Sequence, residues 1–119
     1  MNKILIYTSI VVIILIVSGA YLYFNMTGRA IENYNKEKLA KYLAEKGAIM
    51  YGTEWCSFCN KQKSLFGDSF KYINYIDCDK KPEECFMAEI KGYPTWKIDG
   101  KNYIGFKSLE ELVKMSGYK

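Results

Sequence analysis

Glu54-Trp55-Cys56-Ser57-Phe58-Cys59, with Ala48-Ile49-Met50-Tyr51 before it and a helix-compatible run to Phe66 after it, decides how the rest of this chain is read. Cysteines three positions apart sit about one helical turn from each other, so a helix over Cys56 to Phe66 brings both sulfurs within bonding distance. At its first turn, unpaired backbone N–H groups and the helix dipole favour a thiolate. Cys56 is therefore the expected nucleophile and Cys59, one turn deeper, the resolving thiol. A strand, a cysteine pair and a helix in that order point to thiol–disulfide chemistry carried by the cysteines alone, with no cofactor and no metal.

Outward from this segment, hydrophobic periodicity sets the neighbouring elements. Leu39, Tyr42 and Leu43 recur at helical spacing among charges, which predicts an amphipathic helix over Asn35 to Lys46, ended by Gly47. Tyr72 to Ile76 is β-prone, after a break at Gly67-Asp68. Pro82 opens a further predicted helix, with Cys85, Phe86 and Ile90 on its apolar side and Gly92 as its end. Thr95 to Ile98 and Asn102 to Ile104 alternate in polarity about Asp99-Gly100, the signal of a hairpin with a primed turn. Ser108 and Glu111 form a predicted capping box for a last helix that turns Leu109, Leu112, Val113 and Met115 inward before Gly117. This alternation is α/β, with two crossovers expected to be right-handed.

Residues 1–24 are of a different kind. Ile4 to Phe24 contains no charged side chain, and as a helix rising about 1.5 Å per residue it reaches roughly 30 Å, the thickness of a bilayer core. Tyr21, Tyr23 and Phe24 suit a membrane–water boundary. The reading is an uncleaved single-pass anchor, with a cleaved signal peptide as the alternative. Residues 25–34 read as a polar linker and 35–119 as one small domain. Positive charge after the apolar run would by simple count place the domain in the cytoplasm. A whole domain is translocated largely regardless of such charge, however, and four cysteines favour an oxidising compartment. The expected location is the cell membrane, with the domain on the extracytoplasmic side. After the apolar run, 16 Lys and Arg against 13 Asp and Glu leave a net charge of +3 that is spread along the sequence, which gives nucleic-acid binding no support.

With the strand before Cys56-Ser57-Phe58-Cys59, Gly92-Tyr93-Pro94-Thr95 before the hairpin and Gly105 after it, residues 36–118 resemble the thioredoxin superfamily. Tyr51-Gly52, Cys78, Cys85 and Gly92 to Trp96 make the chain most similar to the thioredoxin-like domains associated with bacterial and archaeal homologues of vitamin K epoxide reductase. The resemblance implies a central four-stranded mixed sheet flanked by helices, and a cis Pro94 facing the cysteines. It also implies that the Tyr93 backbone pairs with an extended substrate segment, and that Trp55, Ser57, Phe58, Tyr93 and Pro94 line the substrate site. Two departures matter. Met50 stands where thioredoxins usually carry a buried aspartate, so Cys59 must lose its proton by another route. The chain has no histidine, so the helix terminus must stabilise the thiolate, with Lys61 or Lys63 nearby.

Cys78 and Cys85 flank a polar loop, and are read as a structural disulfide; a relay of electrons between Cys56-Cys59 and a membrane partner is the alternative. Zinc on all four cysteines is a lesser reading, because six residues between the second pair do not make a zinc knuckle. The expected function is a membrane-anchored thiol–disulfide oxidoreductase acting on protein thiols and disulfides, coupled to a membrane vitamin K epoxide reductase-like partner. Alternatives are a reductase in a cytochrome-maturation or isomerase pathway and an anchored binding module with static disulfides.

Overall fold

A computed structural model describes residues 2–32 and 35–119, with side chains described for 2–25 and 35–119. The chain divides into two units, residues 1–33 and 34–119.

The N-terminal unit is one helix, α1 (Asn2–Glu32). Its stretch Asn2–Asn25 is long and apolar enough to cross a membrane. The helix also runs on through residues 25–32, the first part of the predicted linker, while residues 33 and 34 lie outside the described residues.

The second unit is built on four strands: β1 (Ile49–Gly52), β2 (Asn74–Asp77), β3 (Thr95–Ile98) and β4 (Lys101–Ile104). Their spatial order is β2-β1-β3-β4, with β1 and β2 parallel and the other two pairings antiparallel. The mixed four-stranded sheet expected from the sequence is therefore present. Among the described residues, only the β1-to-β2 connection joins parallel strands. The handedness rule for crossovers thus applies once, not twice as the sequence suggested.

Period-two alternation along β1 divides the interior between two faces. Met50 points to one face with its cross-strand neighbour Trp96, where Leu39, Leu43, Cys59, Phe66, Ile98 and Leu112 complete the main core. These side chains come from the sheet and from α2 (Lys36–Glu45), α3 (Ser57–Phe66) and α5 (Leu109–Ser116). Ile49 and Tyr51 point the other way, into a smaller cluster with Ile76, Cys78, Cys85, Ala88 and Ile90 that includes α4 (Pro82–Met87).

Local chemistry explains where the elements start and stop. Asn35 caps α2 by accepting from the Lys38 N–H, satisfying one of the helix's orphan donors. The predicted capping box at α5 is formed in both directions between Ser108 and Glu111. Asp99 and Gly100 both take positive φ, 50° and 77°, as a primed two-residue hairpin turn demands.

Two expectations are corrected. The β-prone run begins as a 3-10 helix, Gly67–Tyr72, and becomes strand only at Asn74, because pairing with Ile49 to Gly52 sets the register. The helix opened by Pro82 ends at Met87, well short of Gly92, and Glu89 then takes a φ of 58°. Phe86 is 84% exposed, not on an inward face. In so short a helix, Cys85 turned toward the sheet directs the next residue, about 100° further round, to solvent.

Candidate functional site

Cys56 is the N-cap of α3, with extended backbone and its Sγ accepting from the Cys59 N–H at 3.2 Å. That donor is one of the four that a helix start leaves unpaired, and here it is aimed at sulfur. Cys56 and Cys59 are both free thiols. Cys56 keeps 8% of its surface, whereas Cys59 is wholly buried in the main core.

Burial pushes the Cys59 thiol up to about 12. The hydrogen bond to the Cys56 side chain and the Cys56 charge act in the same direction, while the Thr53 backbone and the Lys63 ammonium pull against them. The physical cause is ordinary: a thiolate without water is costly, and the neutral thiol is favoured. Without a water-exposed edge, Cys59 stays protonated until a local group or a structural fluctuation intervenes.

Gly52, the last residue of β1, makes the close packing of Cys59 possible. A Cβ at this position would lie 2.8 Å from Cys59 Sγ and 3.4 Å from Tyr75 Cε2, closer to the sulfur than side-chain carbons pack. The β1–β3 register pairs Tyr51 with Thr95, the residue after Pro94. The Tyr93–Pro94 peptide is cis, and the Pro94 side chain is buried. Gly105 donates to the Pro94 carbonyl at 2.7 Å, and the Thr95 hydroxyl to the Gly92 carbonyl at 2.7 Å, so backbone on both sides of the proline is anchored.

The aromatic residues divide by exposure. Trp55 is 71% exposed and meets the half-exposed Tyr93 edge to face, with ring centres 6.1 Å apart, a geometry favoured by the ring quadrupoles. Phe58 is 59% exposed on the first turn of α3, beside the exposed Ser57. The Trp55 indole N–H donates to Asp79 Oδ2 at 2.8 Å. Asp79 was not among the residues singled out from sequence. A signal existed: β1 and β2 are parallel, and residues just past the C-terminal ends of adjacent parallel strands lie together where open α/β sheets place their sites.

The lysines flanking the motif part company. Lys61 Nζ lies over the Phe106 ring at 4.8 Å. Lys63 Nζ is 3.7 Å from Glu54 Oε1 and 4.1 Å from the centre of the Tyr75 ring. Tyr75 stays neutral, because burial and then the Asp77 charge push its hydroxyl upward.

Cys78 and Cys85 form a disulfide with Cα atoms 5.7 Å apart. Their sulfurs are bonded to each other and so do not join Cys56 and Cys59 in a four-thiolate zinc set. The bond closes the loop that carries Asp79, and the Cys78 N–H donates to the Gly52 carbonyl at 2.8 Å.

No family model matches the chain. Thiol-disulfide oxidoreductase LTO1 of Arabidopsis thaliana is 42% identical over 89 residues, 67% of this chain and 24% of that protein. A thioredoxin domain-containing protein 5 homolog of Drosophila melanogaster is 29% identical over 80 residues, 59% of this chain and 19% of that protein. The chain thus spans about a quarter or less of the length of these relatives. Among solved structures, a glutaredoxin from Methanosarcina mazei is similar with a TM-score of 0.45 and 28% identity, over 60% of this chain and 78% of that one. The chain thus combines a β2-β1-β3-β4 mixed sheet and a cysteine pair at the start of α3 with a likeness in sequence to a thiol-disulfide oxidoreductase.

Proposed function

We propose that this protein is a membrane-anchored thiol–disulfide oxidoreductase, in which Cys56 exchanges disulfides with protein substrates and Cys59 resolves the mixed disulfide. One observation carries the reading: Cys56 caps α3 with a backbone N–H directed at its sulfur, while Cys59 waits one turn below, fully buried. The two thiols are thereby given different tasks, because only the outer one keeps surface for an incoming sulfur.

In the oxidising direction, a substrate thiolate attacks Cys56 of the Cys56–Cys59 disulfide and Cys59 leaves as a thiolate that takes up a proton. A second substrate thiolate then displaces Cys56, leaving the substrate oxidised and the protein carrying two thiols. Trp55, Ser57, Phe58, Tyr93 and Pro94 form the substrate surface, with the Tyr93 backbone available to an extended segment. Cys78–Cys85 is the structural bond, since it closes a short loop inside an apolar cluster.

The apolar α1 anchors the domain beside a membrane partner of the vitamin K epoxide reductase type, which accepts two electrons from the dithiol and regenerates its disulfide. The domain faces the extracytoplasmic side, where the Cys78–Cys85 bond persists without reduction. These assignments are tested by trapping in membranes with Cys59→Ala. Mixed disulfides on Cys56, containing secreted proteins and a membrane protein, are the expected result. A Cys59→Ala chain that accumulates no mixed disulfide on Cys56 overturns the exchange activity.

A further inference from the structure

Cys59 poses a chemical problem that the exchange reading leaves open. Resolution requires its thiolate, yet it lies in the main core, to which β1 contributes Met50, a thioether that cannot accept a proton. The charged and titratable groups around it are few. Cys56 precedes it on the same helix start, Lys63 follows it by one turn, Glu54 reaches Lys63 from the loop before α3, and Tyr75 and Asp77 come from β2. Of these, Lys63 alone is a cation.

Lys63 is not a freely solvated lysine. Its side chain is 22% exposed, with Glu54 3.7 Å from its ammonium on one side and the Tyr75 ring 4.1 Å away on another. Residues i and i+4 of a helix share a face, which places Lys63 over the same side of α3 as Cys59. Tyr75 closes the arrangement from the sheet: its ring edge and Cys59 Sγ both lie against the vacant Cβ position of Gly52, at 3.4 and 2.8 Å. Neutral Tyr75 offers Lys63 a π face and brings no negative charge near the sulfur.

We propose that Lys63, positioned by Glu54 and the Tyr75 ring, supplies the positive charge under which buried Cys59 ionises during resolution, in place of a buried proton acceptor on β1. The inference rests on the exchange activity described above. In the step itself a structural fluctuation admits solvent, which takes up the Cys59 proton, and the thiolate attacks Cys56 Sγ of the mixed disulfide. The Cys56–Cys59 bond forms as the bond from Cys56 to the partner sulfur breaks, and the partner leaves with the electron pair as a thiolate. The partner is reduced and the protein oxidised by the same two electrons. Lys63 is a positioning residue for charge and does not react. The direction of its effect is that of a cation near an acid: it draws the Cys59 thiol downward, against burial.

The test uses the reduced full chain and one equivalent of 5,5′-dithiobis(2-nitrobenzoate), with release of thionitrobenzoate followed in time over a range of pH. The first release reports attack by Cys56 and the second reports resolution by Cys59. Lys63→Gln is expected to slow the second phase about tenfold at pH 7 and raise its pH midpoint by about one unit, the effect of losing one nearby opposite charge. The first phase should change less, and Lys63→Arg should restore the second. Lys63→Met, which keeps the aliphatic stem, repeats the measurement if Lys63→Gln does not fold. A second phase with unaltered pH dependence in the neutral variants, or one as slow in Lys63→Arg as in Lys63→Gln, overturns the role of the charge. A native chain that releases only the first equivalent overturns instead the resolving role of Cys59, and with it the exchange mechanism.

Discussion

The two cysteine pairs differ less in burial than in company. Cys56 and Cys59 are 8% and 0% exposed, Cys78 and Cys85 both 5%, so exposure alone would not separate a reactive pair from an inert one. The first pair straddles the start of the ten-residue α3, with a backbone donor on the outer sulfur and exposed aromatic rings on either side of it in sequence. The second joins the end of β2 to the six-residue α4 inside an apolar cluster on the opposite sheet face. Reactivity follows from a polarised, approachable sulfur, whereas stability follows from closing a loop in the unfolded chain.

Removing each pair separately should separate these roles most clearly. Cys56→Ala is expected to abolish disulfide exchange in an insulin-reduction assay while leaving the thermal unfolding transition nearly in place. The double variant Cys78→Ala/Cys85→Ala should retain exchange but lose about 2.5 kcal/mol of stability in denaturant unfolding, from the entropy of the short loop it no longer closes. Loss of exchange in the double variant without loss of stability would reverse the assignment and favour an electron relay.

Crowding the first pair should have the next largest effect. Gly52→Ala places a methyl 2.8 Å from Cys59 Sγ, and overpacking of this kind costs about 1–3 kcal/mol. Because the atom displaced is the sulfur proposed to resolve the mixed disulfide, release of that disulfide should slow as stability falls. A variant as stable and as fast as the native chain would show that the β1 end yields freely.

Titration sharpens the contrast with a smaller effect. A thiol raised to about 12 in the folded state, against its ordinary value near 9 when unfolded, stays protonated where the unfolded chain ionises, and that difference works against folding at alkaline pH. Its contribution is complete below about pH 9 and constant there; as pH rises from 9 towards 12, the unfolded chain gains from ionisation and net stability falls. Comparing the reduced native chain with reduced Cys59→Ser should therefore reveal an additional loss on the order of 1 kcal/mol by pH 10 in the native chain. Parallel stability curves above pH 9 would show that the Cys59 environment admits water.

Much of the fold was legible because its signals are local. Asn35, Ser108-Glu111 and Asp99-Gly100 do in the structure what caps and turns do in isolation, through hydrogen bonds and φ preferences spanning four residues or fewer. The readings that failed depended on partners distant in sequence. Tyr72 has β propensity, yet it lies in a 3-10 helix because β1 sets where its neighbour begins. Phe86 fits an apolar stripe on paper and projects into solvent because Cys85, held by Cys78, orients α4.

The site divides in the same way. Cys56 to Cys59 can be read directly from the chain, since spacing and residue type carry their chemistry, whereas Tyr93-Pro94 was singled out only through the family resemblance. Asp79 on the Trp55 indole, Gly52 under Cys59, and Lys63 between Glu54 and Tyr75 cannot be read so, because each contact is made only after β1, β2 and α3 have packed.

The amino-acid order by itself determined the cysteine pair at a helix start, the apolar N-terminal segment and the alternation of strands and helices, all properties of short windows governed by periodicity and capping. Only the tertiary structure decided which sulfur is sealed from water, which lysine is held between Glu54 and the Tyr75 ring and which aromatic side chains remain exposed. Solvation and charge proximity depend on what the rest of the fold brings within a few ångströms, and no local window contains that information.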